Sequence, residues 1–197
     1  MSDIIVINNY VNIPDESKLC QQNNNDIILF LGKMNYEPNI TAVTYFANDI
    51  FPALRLSFPS LKFVIIGAHP SDKIMALSNI EGITVTGYVE STEPYFKNAS
   101  IVVAPMLSGA GVQNKIIQAM AYGCCVATTD IGAEGLDLQG GDLAIFNGTK
   151  DWIKGLTELL SDRNIRLGYG KVARETVKAN LSKEIIYKQF CKLIDNI

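Results

Sequence analysis

The stretch that most narrows the fold runs from Ile101 to Thr129. Ile101-Val102-Val103-Ala104-Pro105 is an apolar run of strand length. Ser108-Gly109-Ala110-Gly111-Val112-Gln113-Asn114-Lys115 follows, a small-residue loop that opens into a helix through Met120. Cys125-Val126-Ala127-Thr128-Thr129 then reads as a second strand. Strand, loop, helix and strand is the order of a βαβ unit, whose strands are parallel. At the carboxyl end of such a strand, glycines let the backbone approach a ligand closely. The helix terminus there offers unpaired N–H groups and a partial positive charge. Lys115, on about the first turn, adds a full charge. Two readings suit this pattern: a diphosphate site, and a tight strand-to-helix connection with a surface lysine.

The rest of the chain repeats the alternation. Ile27-Ile28-Leu29-Phe30-Leu31 is a strand apolar on both faces, ending at Gly32-Lys33. Pro38-Asn39 opens a helix whose apolar positions Ile40, Val43, Phe46, Ala47, Ile50 and Phe51 recur at helical spacing to about Leu54. A strand at Leu61–Ile66 runs into Gly67, and Ser71 is placed to cap a short helix from Asp72 to Leu77. Ile83–Thr86 is a short strand ending at Gly87-Tyr88-Val89, with a helical turn or two from Thr92 to Asn98. Beyond Thr129 the pattern predicts a loop at Gly132–Leu136 and a last strand at Leu143–Phe146. Three helical segments follow, around Trp152–Leu160, Ile165–Ala179 and Ile185–Ile194. Trp152 reads as core, and so do Ile185, Ile186 and Phe190. These alternations predict an α/β fold with a doubly wound parallel sheet, whose ligands sit beyond the carboxyl ends of the strands. Residues 27–197 form that domain. Residues 1–26 form a hinge or linker with a short strand at Ile4–Ile7. Within it, Asn8–Asp26 has too little apolar content to bury.

Composition excludes several function classes. The chain has 197 residues, 48% of them hydrophobic, enough for a substantial core. A net charge of −3 argues against a sequence-independent grip on nucleic acid. No run of about twenty apolar residues spans a membrane, and the amino terminus lacks the pattern of a secretory signal. Cys20, Cys124, Cys125 and Cys191 match no zinc spacing and read as reduced, mostly buried thiols of a cytoplasmic protein. His69, the single histidine, reads as a loop residue.

Taken together, these segments resemble the donor half of glycosyltransferases of the GT-B fold, family 4 (group 1) type. Phe30-Leu31-Gly32-Lys33-Met34, Tyr36 and Pro38-Asn39 are similar to the opening of that half. Val85-Thr86-Gly87-Tyr88-Val89 resembles its central strand and base-binding loop. Ala104-Pro105, Gly109-Ala110-Gly111-Val112, Lys115, Ala119-Met120-Ala121 and Gly123 resemble its signature loop and helix. Val126-Ala127-Thr128-Thr129 and Gly132-Ala133-Glu134-Gly135-Leu136 continue the match in order, and Asn8-Asn9-Tyr10-Val11 resembles the end of the interdomain hinge.

The resemblance implies a Rossmann-like domain that binds a nucleoside diphosphate sugar for a retaining transfer, in cell-surface polysaccharide synthesis. It implies a diphosphate held by Gly32, Lys33, Gly109, Ala110, Gly111, Val112 and Lys115. The ribose would meet Gln118, and the base would meet Gly87, Tyr88 and Val89. No metal or other cofactor is implied, because basic groups and a helix terminus neutralise the leaving diphosphate. The partner implied is an amino-terminal acceptor domain, missing from this chain, with peripheral membrane association of the full-length enzyme. The chain alone is then expected to be inactive, and no catalytic base is assigned. Three positions depart from the family. Ala110 and Gln118 stand where two glutamates are common, and Pro38 stands about where a second basic residue falls. Gln118 still donates and accepts hydrogen bonds, so weakened ribose binding is expected. A different reading is a non-catalytic nucleotide- or partner-binding module.

Overall fold

The computed structural model describes residues 9–21, 26–109, 111–136 and 141–194. The strand expected at Ile4–Ile7 and the diphosphate contact expected of Ala110 lie outside the described residues. Six strands form one sheet: β1 (Ile27–Leu31), β2 (Lys62–Ile66), β3 (Ile83–Gly87), β4 (Ile101–Ala104), β5 (Val126–Thr128) and β6 (Ala144–Ile145). Their order is β3-β2-β1-β4-β5-β6 and every neighbouring pair is parallel. This is the doubly wound, Rossmann-like sheet expected from the alternation. The winding reverses between β1 and β4, where Leu29 pairs with Val102, so the crevice opens beyond their carboxyl ends.

The crossovers out of β1 and β4 run in opposite directions along the sheet, which with the usual right-handed connection puts their helices on opposite faces. The chain leaves β1 through α1 (Glu37–Tyr45), a π turn (Phe46–Ile50) and α2 (Phe51–Ser57). It leaves β4 through α5 (Asn114–Ala121). Shorter helices are α3 (Asp72–Met75), α4 (Glu93–Asn98) and α6 (Asp130–Ala133). Three helices close the chain: α7 (Thr149–Ser161), which packs on α2, α8 (Arg163–Leu181), which packs on α5, and α9 (Lys183–Ile194). Trp152 is fully buried as expected, meeting Phe46 and Phe146 edge-on at ring centroid distances of 6.0 and 5.5 Å.

Several local expectations change. The helix from Pro38 to Leu54 is broken by the π turn, which precedes Pro52; proline has no N–H and crowds the carbonyl four residues back. Ser71 sits at the start of α3, but its side chain makes no capping bond. The loop expected at Gly132–Leu136 begins inside α6, because Thr129 caps that helix by accepting from the Gly132 N–H at 3.0 Å. Phe190 stays half exposed, whereas Ile186 is buried, because α9 turns only one edge toward α8. The segment 9–21 is no loose linker. The Val11 N–H donates to Leu181 O at 2.9 Å, and the Cys20 N–H to Tyr122 O at 2.9 Å. Backbone hydrogen bonds, side chains of Lys97 and Arg174 reaching its carbonyls, and the partly buried Val11, Ile13 and Cys20 fix it to the core.

Candidate functional site

The strand ends place four of the expected residues around one opening. Gly32, Lys33, Tyr88 and Val89 line a cavity of about 190 Å3 with Leu31, Gly67 and Thr92. Gly87 adjoins it at the end of β3, its carbonyl accepting from the Gly67 N–H at 3.1 Å. Lys33 is exposed, and Tyr88 is 77% exposed, an aromatic face open to a planar ligand. Gln118 lines a separate cavity of about 490 Å3 with Asn9, Tyr10, Asn12, Asn114 and Tyr122. Its Nε2 donates to Thr92 Oγ1 at 3.4 Å, and Thr92 also lines the first cavity, so the two are neighbours.

The loop before α5 follows from its glycines. Gly109 and Gly111 have φ of +131° and +74°, values that side-chain-bearing residues seldom adopt. The loop is anchored from β5: Thr129 Oγ1 donates to Met106 O and Thr128 Oγ1 to Ala104 O, both at 2.7 Å. Gln113, at the N-cap of α5, makes no side-chain capping bond. Val112 is exposed on the crest of the loop.

Lys115 is placed differently from a surface charge. Its Nζ donates to Asn39 Oδ1, lies 3.4 Å from Met106 Sδ and stands 4.8 Å from the Phe30 ring centroid. Burial lowers its pKa to about 8, since the charged form is partly stripped of water. The Asn39 amide also donates from Nδ2 to Lys33 O at 3.0 Å, so one buried side chain joins the two lysines. Asn39, Thr92 and Met106 are the site residues that sequence reasoning missed. Asn39 was legible as half of a helix-opening Pro-Asn pair and as part of the family resemblance, but not as a partner of Lys115.

Neither lysine has a carboxylate partner among the described residues. Two lysines without a described carboxylate partner, and a helix terminus without a side-chain cap, have the chemistry to suit an anion. A third cavity of about 660 Å3 lies at the ends of β5 and β6, lined by Asp130, Glu134 and Asp142, and is acidic instead. Among the described residues no group of three or more His, Cys, Asp or Glu is placed to hold a metal ion. The cysteines are free thiols; burial pushes Cys125 up to about 12. His69 lies in an exposed loop. No helix among the described residues is long and apolar enough to cross a membrane.

Comparison with known proteins agrees with this fold. Residues 25–162 match the family model for glycosyl transferases group 1. An uncharacterized 44.6 kDa protein in the cps region of Klebsiella pneumoniae is 25% identical over 127 residues, covering 60% of this chain and 33% of that protein. An uncharacterized glycosyltransferase of Methanocaldococcus jannaschii is 27% identical over 121 residues, 59% of this chain and 31% of that one. The matches thus span about a third of the curated relatives' length. A variant of S. aureus TarM, in complex with Fondaparinux, alpha-GlcNAc-glycerol and UDP, superposes with a TM-score of 0.79 at 21% identity. It covers 98% of this chain and 40% of that one. Anabaena Alr3699/HepE in complex with UDP and glucose gives 0.76 at 12% identity, covering 98% and 57%. The sheet order, the strand-end site and the family match lead to one conclusion: the chain belongs to the group 1 glycosyltransferases.

Proposed function

We propose that this chain is the donor-binding domain of a retaining glycosyltransferase that draws its sugar from a nucleoside diphosphate sugar. The observation that carries the reading is the pair Lys33 and Lys115, joined through Asn39 at the strand ends and lacking any described carboxylate partner. Breaking the bond between the sugar and its phosphate leaves negative charge on the diphosphate. Lys33, Lys115 and the amino terminus of α5 would stabilise that charge more in the transition state than in the bound donor. The base would sit against Tyr88 and the backbone of Gly87 and Val89, with the ribose at Gln118. Lys33, Lys115 and the helix terminus take the charge-stabilising role, and the reading needs no metal.

In this reading the acceptor is held by an amino-terminal domain outside these 197 residues. Domain and partner act together in the cytoplasm, at the membrane surface, in cell-surface polysaccharide synthesis. UDP is the first ligand to try, since TarM and HepE were each solved with it.

The test is calorimetric titration of the chain with UDP, GDP, UMP and GMP. Binding of one diphosphate with a dissociation constant of about 50 μM, roughly −6 kcal/mol, and a much weaker monophosphate, supports the reading. Equal binding of diphosphate and monophosphate removes the role given to the two lysines.

A further inference from the structure

Asn39 is 5% exposed and occupies the first turn of α1, pressed flat on Gly32. A Cβ on Gly32 would come to 2.5 Å from Asn39 Nδ2, so the glycine leaves the room the amide uses. The amide faces two ways. Its Nδ2 donates to the Lys33 carbonyl and its Oδ1 accepts from the Lys115 amine. The amide carries on separate atoms the acceptor an ammonium needs and the donor a carbonyl needs.

Among the described residues, the neighbours that meet the Lys115 amine are uncharged. Asn39 meets it from α1, Phe30 from β1 and Met106 from the loop after β4. Its pKa is lowered by burial, with no charged neighbour contributing. Three N–H donors face one amide oxygen, one weakly accepting sulfur and a ring. The amine is therefore held in place without being neutralised, and it keeps donor capacity for an arriving oxygen.

We propose that Asn39 is a positioning residue that locks the Lys115 amine to the Lys33 backbone, so that an arriving diphosphate is met by a fixed amine that takes up a proton as it binds. This rests on the nucleotide reading above. A carboxylate at position 39 would neutralise the amine in advance and repel the ligand. An apolar residue would leave a buried amine and a buried carbonyl without partners. Near pH 8 the free amine is partly deprotonated, and a bound phosphate anion favours its protonated form, so binding draws protons from solution.

The experiment has two arms. In the first, UDP is titrated into the chain at pH 8 in Tris and in HEPES, whose ionisation enthalpies differ. The wild-type chain takes up a measurable fraction of a proton per UDP. Asn39→Asp takes up close to none and binds UDP at least threefold more weakly. Equal uptake by both chains overturns the proposal. In the second arm, carbon-13 NMR follows the ε-carbon of Lys115 through a pH titration without nucleotide. Asn39→Asp raises the midpoint by about one pH unit or more, since it places a carboxylate on the amine. A midpoint unmoved by Asn39→Asp, in a folded variant, also overturns the proposal. If the wild-type chain binds no UDP, GDP or inorganic pyrophosphate, the nucleotide reading falls and proton uptake falls with it. The NMR arm then still decides whether Asn39 holds the amine.

Discussion

The buried guanidinium of Arg166 donates from Nη1 to the carbonyl of Leu159 at 2.6 Å, and also to Leu160 at 3.0 Å, closing the carboxyl end of α7. Arg174, further along α8, does the same for α5 through Ala121 and reaches Pro14 O at 2.8 Å from Nη2. Helix ends leave carbonyls without intrahelical partners, and a cation there also meets the negative end of the helix dipole. Two arginines of α8 thus close helices from both faces of the sheet, and one of them also clamps the amino-terminal segment.

Replacing Arg166 with Met removes the donor and leaves buried carbonyls unpaired. The expected cost is about 2–4 kcal/mol, read as a lower urea midpoint. Arg174→Met carries a similar cost. It should also speed amide exchange at Val11 and Cys20, which are tied to the same clamp. Exchange at those two amides unchanged from the wild-type chain would show that the clamp does not hold the segment.

Much of this was legible in the sequence for a physical reason. Strands buried on both faces, such as Ile27–Leu31, read as unbroken apolar runs, and strand-end glycines mark where they stop. The strap at 9–21 was illegible because the groups that hold it, on Tyr122, Arg174 and Leu181, are distant in sequence and its own apolar residues are few. Arg166 and Arg174 look like surface residues of an amphipathic helix until the facing carbonyls are seen. Lys115 was legible as a charge near the loop, but its inward turn depends on Asn39 and Phe30, distant in sequence and brought together by the sheet order.

Gly67→Ala should be among the most damaging single methyl additions. The new Cβ would overlap the carbonyl oxygen of Gly32, and backbone cannot swing aside as a side chain can. A cost of about 3 kcal/mol or more is expected, with distortion of the cavity beside Lys33. Gly168→Ala is the control: its Cβ meets nothing within 4 Å on α8, and it should gain about 0.5–1 kcal/mol of helix propensity. Thermal melts of the two variants should move in opposite directions.

Lys115→Met should stabilise the fold at neutral pH by less than the whole cost of the buried charge, since it strands the Asn39 Oδ1 acceptor. The folded-state pKa is about 8 against an ordinary value of 10.5, so between those values the unfolded chain binds more protons than the folded one. Stability of the wild-type chain therefore rises with pH across that window, as the buried amine sheds its proton. Below pH 8 the desolvated charge is a cost, on the order of 1–3 kcal/mol, which methionine avoids. The gain measured at pH 7 should shrink steadily from pH 8 to about 10. A pH-independent gain would mean that packing, not charge, sets it.

Gln118→Glu should strengthen nucleotide binding. Gln118 sits between the two cavities, with its amide donating to Thr92 Oγ1. A carboxylate in its place can accept from the Thr92 hydroxyl and from a ribose hydroxyl together. A hydrogen bond to a charged acceptor contributes about 1.5–3 kcal/mol, against about 0.5–1.5 for a neutral one. The difference, about 1 kcal/mol, predicts UDP binding roughly fivefold tighter in Gln118→Glu. The effect should be specific to ribose. Inorganic pyrophosphate lacks the sugar, so its affinity should not improve and should fall slightly with the added negative charge. Tighter binding of both ligands would place residue 118 at the diphosphate and move the ribose elsewhere in the crevice.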